Sequence, residues 1–233
     1  MAKADDQAHG GPPRPEWRVR ERMERHLTHF LGEATVWHEI ISGAWPVDLY
    51  RFAPTPERPF YTLVTSGLST RPMSVPEGVE EWARAELVLC LPADWPLTLG
   101  EGGDLGDLGD ENHAWPSQLL RTLARLPHEH GTWLGWGHTV PNGHPPLALA
   151  GTGFTGSLIG PVVTLPDEFL KVELEEGGPL WFYGVFPLYP EEIEFKLNQG
   201  AQALFDRLEA FRVTELVQVD RPNVVTSRLP ERA

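Results

Sequence analysis

Positions 126–139, LPHEHGTWLGWGHT, hold three histidines, a glutamate, two tryptophans and three glycines in fourteen places. Imidazole and carboxylate this close together could bind a metal or move a proton. His128 and His130 are two apart, so on a strand both would face one side and could begin a zinc site. Such a site needs a third protein ligand, which His138, His144 or Glu129 would have to supply. Glu129 would point the other way on a regular strand. There is no HExxH pair, and Cys90, the single cysteine, has no partner for a thiolate site or an internal disulfide. A histidine beside a helix end more often caps carbonyls or sits in solvent. A metal-dependent enzyme built on His128, His130 and His138 or His144 is therefore the alternative reading, and no metal or cofactor is expected.

Other reactive patterns carry less. GTGFTG (151–156) matches GxGxxG, but SLIGPVV follows it, which is poor material for the helix that would hold a dinucleotide phosphate. Ser66 and Ser69 lie in TSGLST without a GxSxG elbow. Glu39 and Asp48 could form a carboxylate pair, yet nothing marks a sugar cleft. In the loop at 99–113, Asp104, Asp107 and Asp110 are three apart, whereas a calcium loop needs oxygen ligands at alternate positions and a closing Glu. Nine tryptophans remain. Each is core material by default. Trp136, however, stands between Gly135 and Gly137, and an exposed ring bracketed in this way would make a binding anchor.

The elements that position these side chains follow from periodicity. Residues 1–15 read as a mobile polar tail. A helix is expected over 16–31, with Val19, Met23, Leu27, Phe30 and Leu31 on one stripe and Gly32 as the stop. Strands are expected over 35–41, 47–52, 59–67 and 84–91, close enough in sequence to be antiparallel neighbours. A second helix starts near Pro116, with Leu119, Leu120, Leu123 and Leu126 on its apolar side, and Pro127 ends it. Residues 141–161 read as Gly/Pro-rich loop. Two strands follow at 171–176 and 180–189, the second a central one buried on both faces. Pro190 opens a last long helix, with Ile193, Leu197, Ala201, Leu204, Leu208 and Phe211 as its stripe. TELVQV (214–219) reads as a final strand, and 220–233 as a polar C-terminal tail. The expected fold is α+β: one domain over 16–219, a mostly antiparallel or mixed β-sheet packed by a few helices.

The formal charge of −14 is uneven: residues 34–190 carry 7 basic and 19 acidic side chains, whereas the first 33 carry 6 of each. An acidic domain repels phosphate backbones, so nucleic acid is not the expected partner, and a basic protein surface is. No apolar run is long enough to span a bilayer, and no secretory h-region is visible, which fits a cytoplasmic protein with no membrane partner.

Taken in order, VDLYRF (47–52), YTLVTSGLSTRPM (61–73), RAELVLCLP (84–92), WPSQLLRTLARLPHE (115–129), GTWLGWGHTVPNG (131–143) and FYGVFPLYPEEIEFKLNQGAQAL (182–204) resemble the Suppressor of fused domain, bacterial members above all. The resemblance covers about residues 35–212. It implies a domain of the Suppressor of fused N-terminal type, in a family not known for catalysis. Animal members sequester zinc-finger transcription factors, whose peptide adds to the edge of the sheet. Bacterial members have been proposed as immunity proteins of polymorphic toxin systems. The animal proteins carry a second domain that closes over the peptide, for which this chain ends too soon. They also place an acidic residue where Gly137 stands here, just before His138. The expected function is thus a non-catalytic protein-binding domain, an immunity-type protein that sequesters a toxin effector. The expected contact residues are Asp48, Tyr50, Arg71, Trp133, Trp136 and His138. A regulator that holds some other cytosolic protein needs only the same kind of face.

Overall fold

A computed structural model describes residues 15–39, 45–97, 111–175 and 177–230. The glycine- and aspartate-rich segment with Asp104, Asp107 and Asp110 lies outside the described residues, as does most of the expected N-terminal tail. Helix α1 (Pro15–Leu31) buries Val19, Met23, Leu27 and Leu31, four residues apart on one face. Gly32 ends it at φ 85°, its N–H donating to the Thr28 carbonyl at 3.0 Å.

Four strands then run back and forth: β1 (Ala34–Trp37), β2 (Asp48–Phe52), β3 (Phe60–Ser66) and β4 (Ala85–Pro92). Each is antiparallel to the next. After helix α2 (Glu111–His130) come β5 (Thr139–Pro141), β6 (Gly156–Pro161), β7 (Lys171–Val172) and β8 (Leu180–Leu188). Helices α3 (Pro190–Gln199) and α4 (Ala201–Ala210) close the set. The sheet order is β1-β2-β3-β4-β8-β6-β5, with β7 paired to the first residues of β8. Strands β4 and β8 are parallel; the other pairs are antiparallel.

Helices cover both faces, which is why β4 and β8 read as unbroken apolar runs. On one face Leu49, Leu63, Leu87, Leu89, Tyr183 and Val185 meet Trp115, Leu119, Leu120 and Leu123 of α2. On the other, Phe52, Val64, Val88 and Phe182 meet α1. Leu158, Phe186 and Leu188 meet Leu204 and Leu208 of α4. Among the described residues no helix is long and apolar enough to cross a membrane.

Several expectations are corrected. Helix α2 is longer than its prolines suggest, because Pro116 and Pro127 both lie inside it. Each removes one backbone donor, and the burial of Trp115, Leu119, Leu120, Leu123 and Ala124 outweighs that loss. The last helix is two helices. At Gly200 φ is 89° and ψ 164°, a conformation nearly reserved for glycine, and the turn carries Leu197 out to solvent. The stretch 141–161 hides β6, which its Gly156, Gly160 and Pro161 disguised. Gly160 opposes Gly184 across the β6–β8 pair, and a Cβ at Gly184 would sit 2.8 Å from the Pro161 carbonyl. TELVQV makes a single parallel bridge, Cys90 with Leu216, rather than a strand. It is docked instead through Glu215, whose buried carboxylate accepts the Val163 and Thr164 N–H groups at 3.1 and 3.0 Å.

The stretch read as a C-terminal tail is packed at Arg221 and Val224, both buried. Arg221 donates to both Glu192 oxygens, at 2.7 and 2.5 Å. Glu192 also accepts the Tyr189 and Val224 N–H groups at 3.0 and 2.9 Å. A buried ion pair is tolerated when its remaining lone pairs are satisfied in this way.

Candidate protein-binding face

Trp136 is 41% exposed at one end of the sheet, and it does not stand alone. Its ring centroid lies 5.8 Å from Trp82 and 6.2 Å from Trp181, while Trp82 and Trp181 stack at 4.4 Å with a 16° tilt. Three elements bring them together. Trp82 closes a single 3-10 turn, Glu80–Trp82, just before β4. Trp181 is the second residue of β8, opposite Ala85 of β4 and Lys171 of β7. Trp136 sits in the turn between α2 and β5. The Trp181 indole N–H donates to the Glu81 carbonyl at 2.9 Å, and the Lys171 ammonium lies 5.6 Å from the Trp181 ring. Trp82 and Trp181 could not be found by sequence reasoning. They are about a hundred residues apart, and only the parallel β4–β8 pairing makes them neighbours.

This aromatic face has an acidic border. Glu80 and Glu81 lie on the same turn as Trp82. The Gly78 N–H donates to Glu80 at 2.9 Å and holds its carboxyl below the usual glutamate value. Beneath Trp136 lies Tyr183, 6.4 Å away between ring centroids and fully buried. Burial pushes its hydroxyl well above the ordinary tyrosine value, and that oxygen has no hydrogen-bond partner among the described residues.

The glycines around Trp136 have separate physical reasons. A Cβ on Gly135 would lie 2.5 Å from the six-membered ring of Trp133, so the missing side chain is where that ring folds back. Gly137 has φ 83°, and a Cβ there would meet the Ala201 methyl at 2.8 Å. Trp133 is half-buried and packs edge-on against His138 at 4.5 Å. Burial holds the His138 imidazole below its usual pKa, with Lys196 adding to the effect, so the ring is neutral at pH 7.

Trp133, Trp136 and His138 are thus one neighbourhood. Asp48 and Tyr50 belong to another. Asp48 accepts from Arg20 and His38, both at 3.1 Å, and from the Glu39 N–H at 3.1 Å. Tyr50 is buried under α1, its hydroxyl bonded to Arg20 and Glu24 and its pKa pushed up to about 12 by burial. Those two side chains join α1 to the sheet. Arg71 is exposed, with its guanidinium 4.5 Å from the Trp45 ring, which in turn lies 5.1 Å from His128.

The reactive patterns resolve into structural ones. His128 and His130 lie in the last turn of α2, not on a strand, so their side chains point about 200° apart around the helix axis. The His128 Nε2 is 2.8 Å from the Leu68 carbonyl. Among the described residues, no three histidine, cysteine, aspartate or glutamate side chains are grouped to hold a metal ion. Ser69 donates to buried Glu86 at 2.6 Å. Glu39 is paired with Arg125 and accepts the Val47 N–H at 2.9 Å, so it and Asp48 are both engaged in structural bonds. Gly156 of GTGFTG opens a strand, not a helix.

The Suppressor of fused protein family profile matches residues 43–222, most of the chain. The chain belongs to the Suppressor of fused family. Solved structures agree at the level of fold. A Suppressor of fused homologue from Neisseria gonorrhoeae superposes with a TM-score of 0.61 at 14% identity, over 89% of this chain and 97% of that one. The Sufu–Fu complex gives 0.60 at 14% identity, over 92% and 93%. Drosophila Suppressor of Fused gives 0.56 at 14% identity, with 91% of this chain covering 52% of that one. No curated protein matches by sequence. In this Suppressor of fused domain, then, the turn between α2 and β5 presents an aromatic face flanked by carboxylates.

Proposed function

We propose that this domain works by covering another protein, and that its partner is a basic toxin effector domain which it neutralises in the cytoplasm. The observation that carries this reading is the cluster of exposed Trp136 with the partly buried Trp82 and Trp181. Large, rigid aromatic rings at a surface are the groups that dominate binding energy when a partner removes them from water. Trp133 and His138 extend the face towards β5, one of the two edge strands of the sheet, where main-chain pairing with an extended segment would add to the contact. The charge of −14 and the glutamates at the border favour a basic partner and speed the encounter. That a Suppressor of fused protein has been solved in complex with Fu supports binding as the mode of action. Arg71, whose ring contact is Trp45 and not the three-tryptophan cluster, is the peripheral member of the set.

The test is calorimetric titration of the chain with a basic toxin domain drawn from the neighbourhood of its gene. Trp136→Ala is expected to weaken binding by about 2–4 kcal/mol, roughly 30- to 1,000-fold. Equal affinity for wild type and variant would move the interface elsewhere.

A further inference from the structure

Arginine is scarce in the acidic body of the chain, yet four of the sixteen arginines line one cavity. Arg18, Arg22 and Arg25 reach it from α1, and Arg84 from the residue before β4; its volume is about 480 Å3. That volume suits a small molecule. Two glutamates, Glu21 and Glu175, share the lining. Among the described residues only Arg18 is paired there, with Glu175 at 3.7 Å, and both side chains are more than half in solvent. Arg22 donates to a neutral acceptor, the Glu173 carbonyl, at 3.3 Å. Among the described residues no carboxylate pairs with Arg22, Arg25 or Arg84.

Arg84 is the informative member. Its Nη1 donates to the Ser69 carbonyl at 2.5 Å, but its Nε is buried and has no acceptor among the described residues. A Cβ added to Gly177, another lining residue, would lie 3.3 Å from that Nε, so the guanidinium packs against bare backbone. A half-buried guanidinium without a counter-charge is disfavoured, and burial accordingly holds it below its ordinary pKa. An anion in the cavity would offset the cost of burying that charge, although the covered Nε itself lies out of its reach. Three guanidinium forks on two walls, none paired with a carboxylate among the described residues, suit an anion with several oxygens in three dimensions better than a single planar carboxylate.

We propose that this cavity binds the phosphate chain of a small phosphorylated molecule, held by Arg22, Arg25 and Arg84. Trp17, 56% exposed, Val19 and Leu174 form the apolar part of the lining. They distinguish two sources of the same chemistry: a nucleotide would stack its base on Trp17, and an inorganic polyphosphate would not.

Pyrophosphate, ATP and adenosine, each titrated calorimetrically into the full chain at about 150 mM salt, test this. Pyrophosphate and ATP should bind saturably at one site per chain, and adenosine should not. Arg22→Glu with Arg25→Glu changes only exposed side chains. It should weaken both ligands by at least about tenfold while leaving the thermal midpoint without ligand unchanged. Arg84→Gln should weaken both ligands by a similar factor through the opposite wall. ATP binding more tightly than pyrophosphate, with the difference removed by Trp17→Ala, would identify a nucleotide; equal affinities would identify the polyphosphate. No saturable binding of either anion, or binding that survives the Arg22/Arg25 reversal, would overturn the proposal.

Discussion

Trp133 and Gly135 show how one side chain dictates its neighbour. The Trp133 ring occupies the place a Gly135 side chain would take, 2.5 Å from an added Cβ. Gly135→Ala is therefore expected to expel the ring or shift the turn, with a loss of about 1–3 kcal/mol in chemical denaturation. Ring displacement should also change the His138 chemical shifts, because the two rings touch. An alanine variant of unchanged stability would mean that the turn is looser than described. At the buried Glu192–Arg221 pair, Arg221→Met leaves a carboxylate in the interior. The expected loss is about 3–5 kcal/mol, readable in the same denaturation curves. That Trp136 stands in an unusual turn was legible from sequence, since it lies between two glycines. The stacking of Trp82 and Trp181 beneath it was not, because it depends on a pairing between distant strands. Tyr50 and Asp48 illustrate the reverse. Their types suggested a contact surface, and the packing of α1 over β2 decides their exposure.

At the scale of elements, α1 is fastened to the sheet partly by His26. Its ring stacks on Phe182 at 5.3 Å, and its Nε2 lies 3.0 Å from the Phe169 carbonyl. Burial lowers its pKa below 6.5, as it does for His138. The unfolded chain then binds protons more readily than the folded one as pH falls through 6.5, so stability is complete above that value and declines below it. The thermal midpoint is expected to drop between about pH 7 and pH 5, and His26→Gln is expected to flatten part of that slope. A slope unchanged by the substitution would assign the effect to other groups. Strands with clean alternation or unbroken apolar runs, β2 to β4 and β8, were legible. Strand β6 was not, since its glycines serve close approach to β8 and look like loop. The break between α3 and α4 was equally hidden: the apolar stripe continues across it, and only the φ of 89° at Gly200 interrupts it. Gly200→Ala forces that conformation on a residue with a Cβ and should cost about 1–3 kcal/mol.

The whole molecule combines an acidic body with one compact aromatic face. In the proposed complex charge would govern the encounter and the tryptophans its lifetime. Raising salt from about 50 to 500 mM should slow association with a basic partner much more than it speeds dissociation, and stopped-flow measurement separates the two. Composition carried the charge argument in full, because summed charge needs no coordinates. It could not reveal the arginine-lined cavity, where α1 folds against the loop before β8. The claim on which everything else rests is that the domain acts by covering a partner, not by transforming it. Titrating the domain into a fixed amount of active toxin measures this directly. Binding predicts that toxin activity falls linearly and ends at about one equivalent, with the toxin recovered at unchanged mass. Complete inactivation by a small fraction of an equivalent, or a toxin of altered mass, would contradict it.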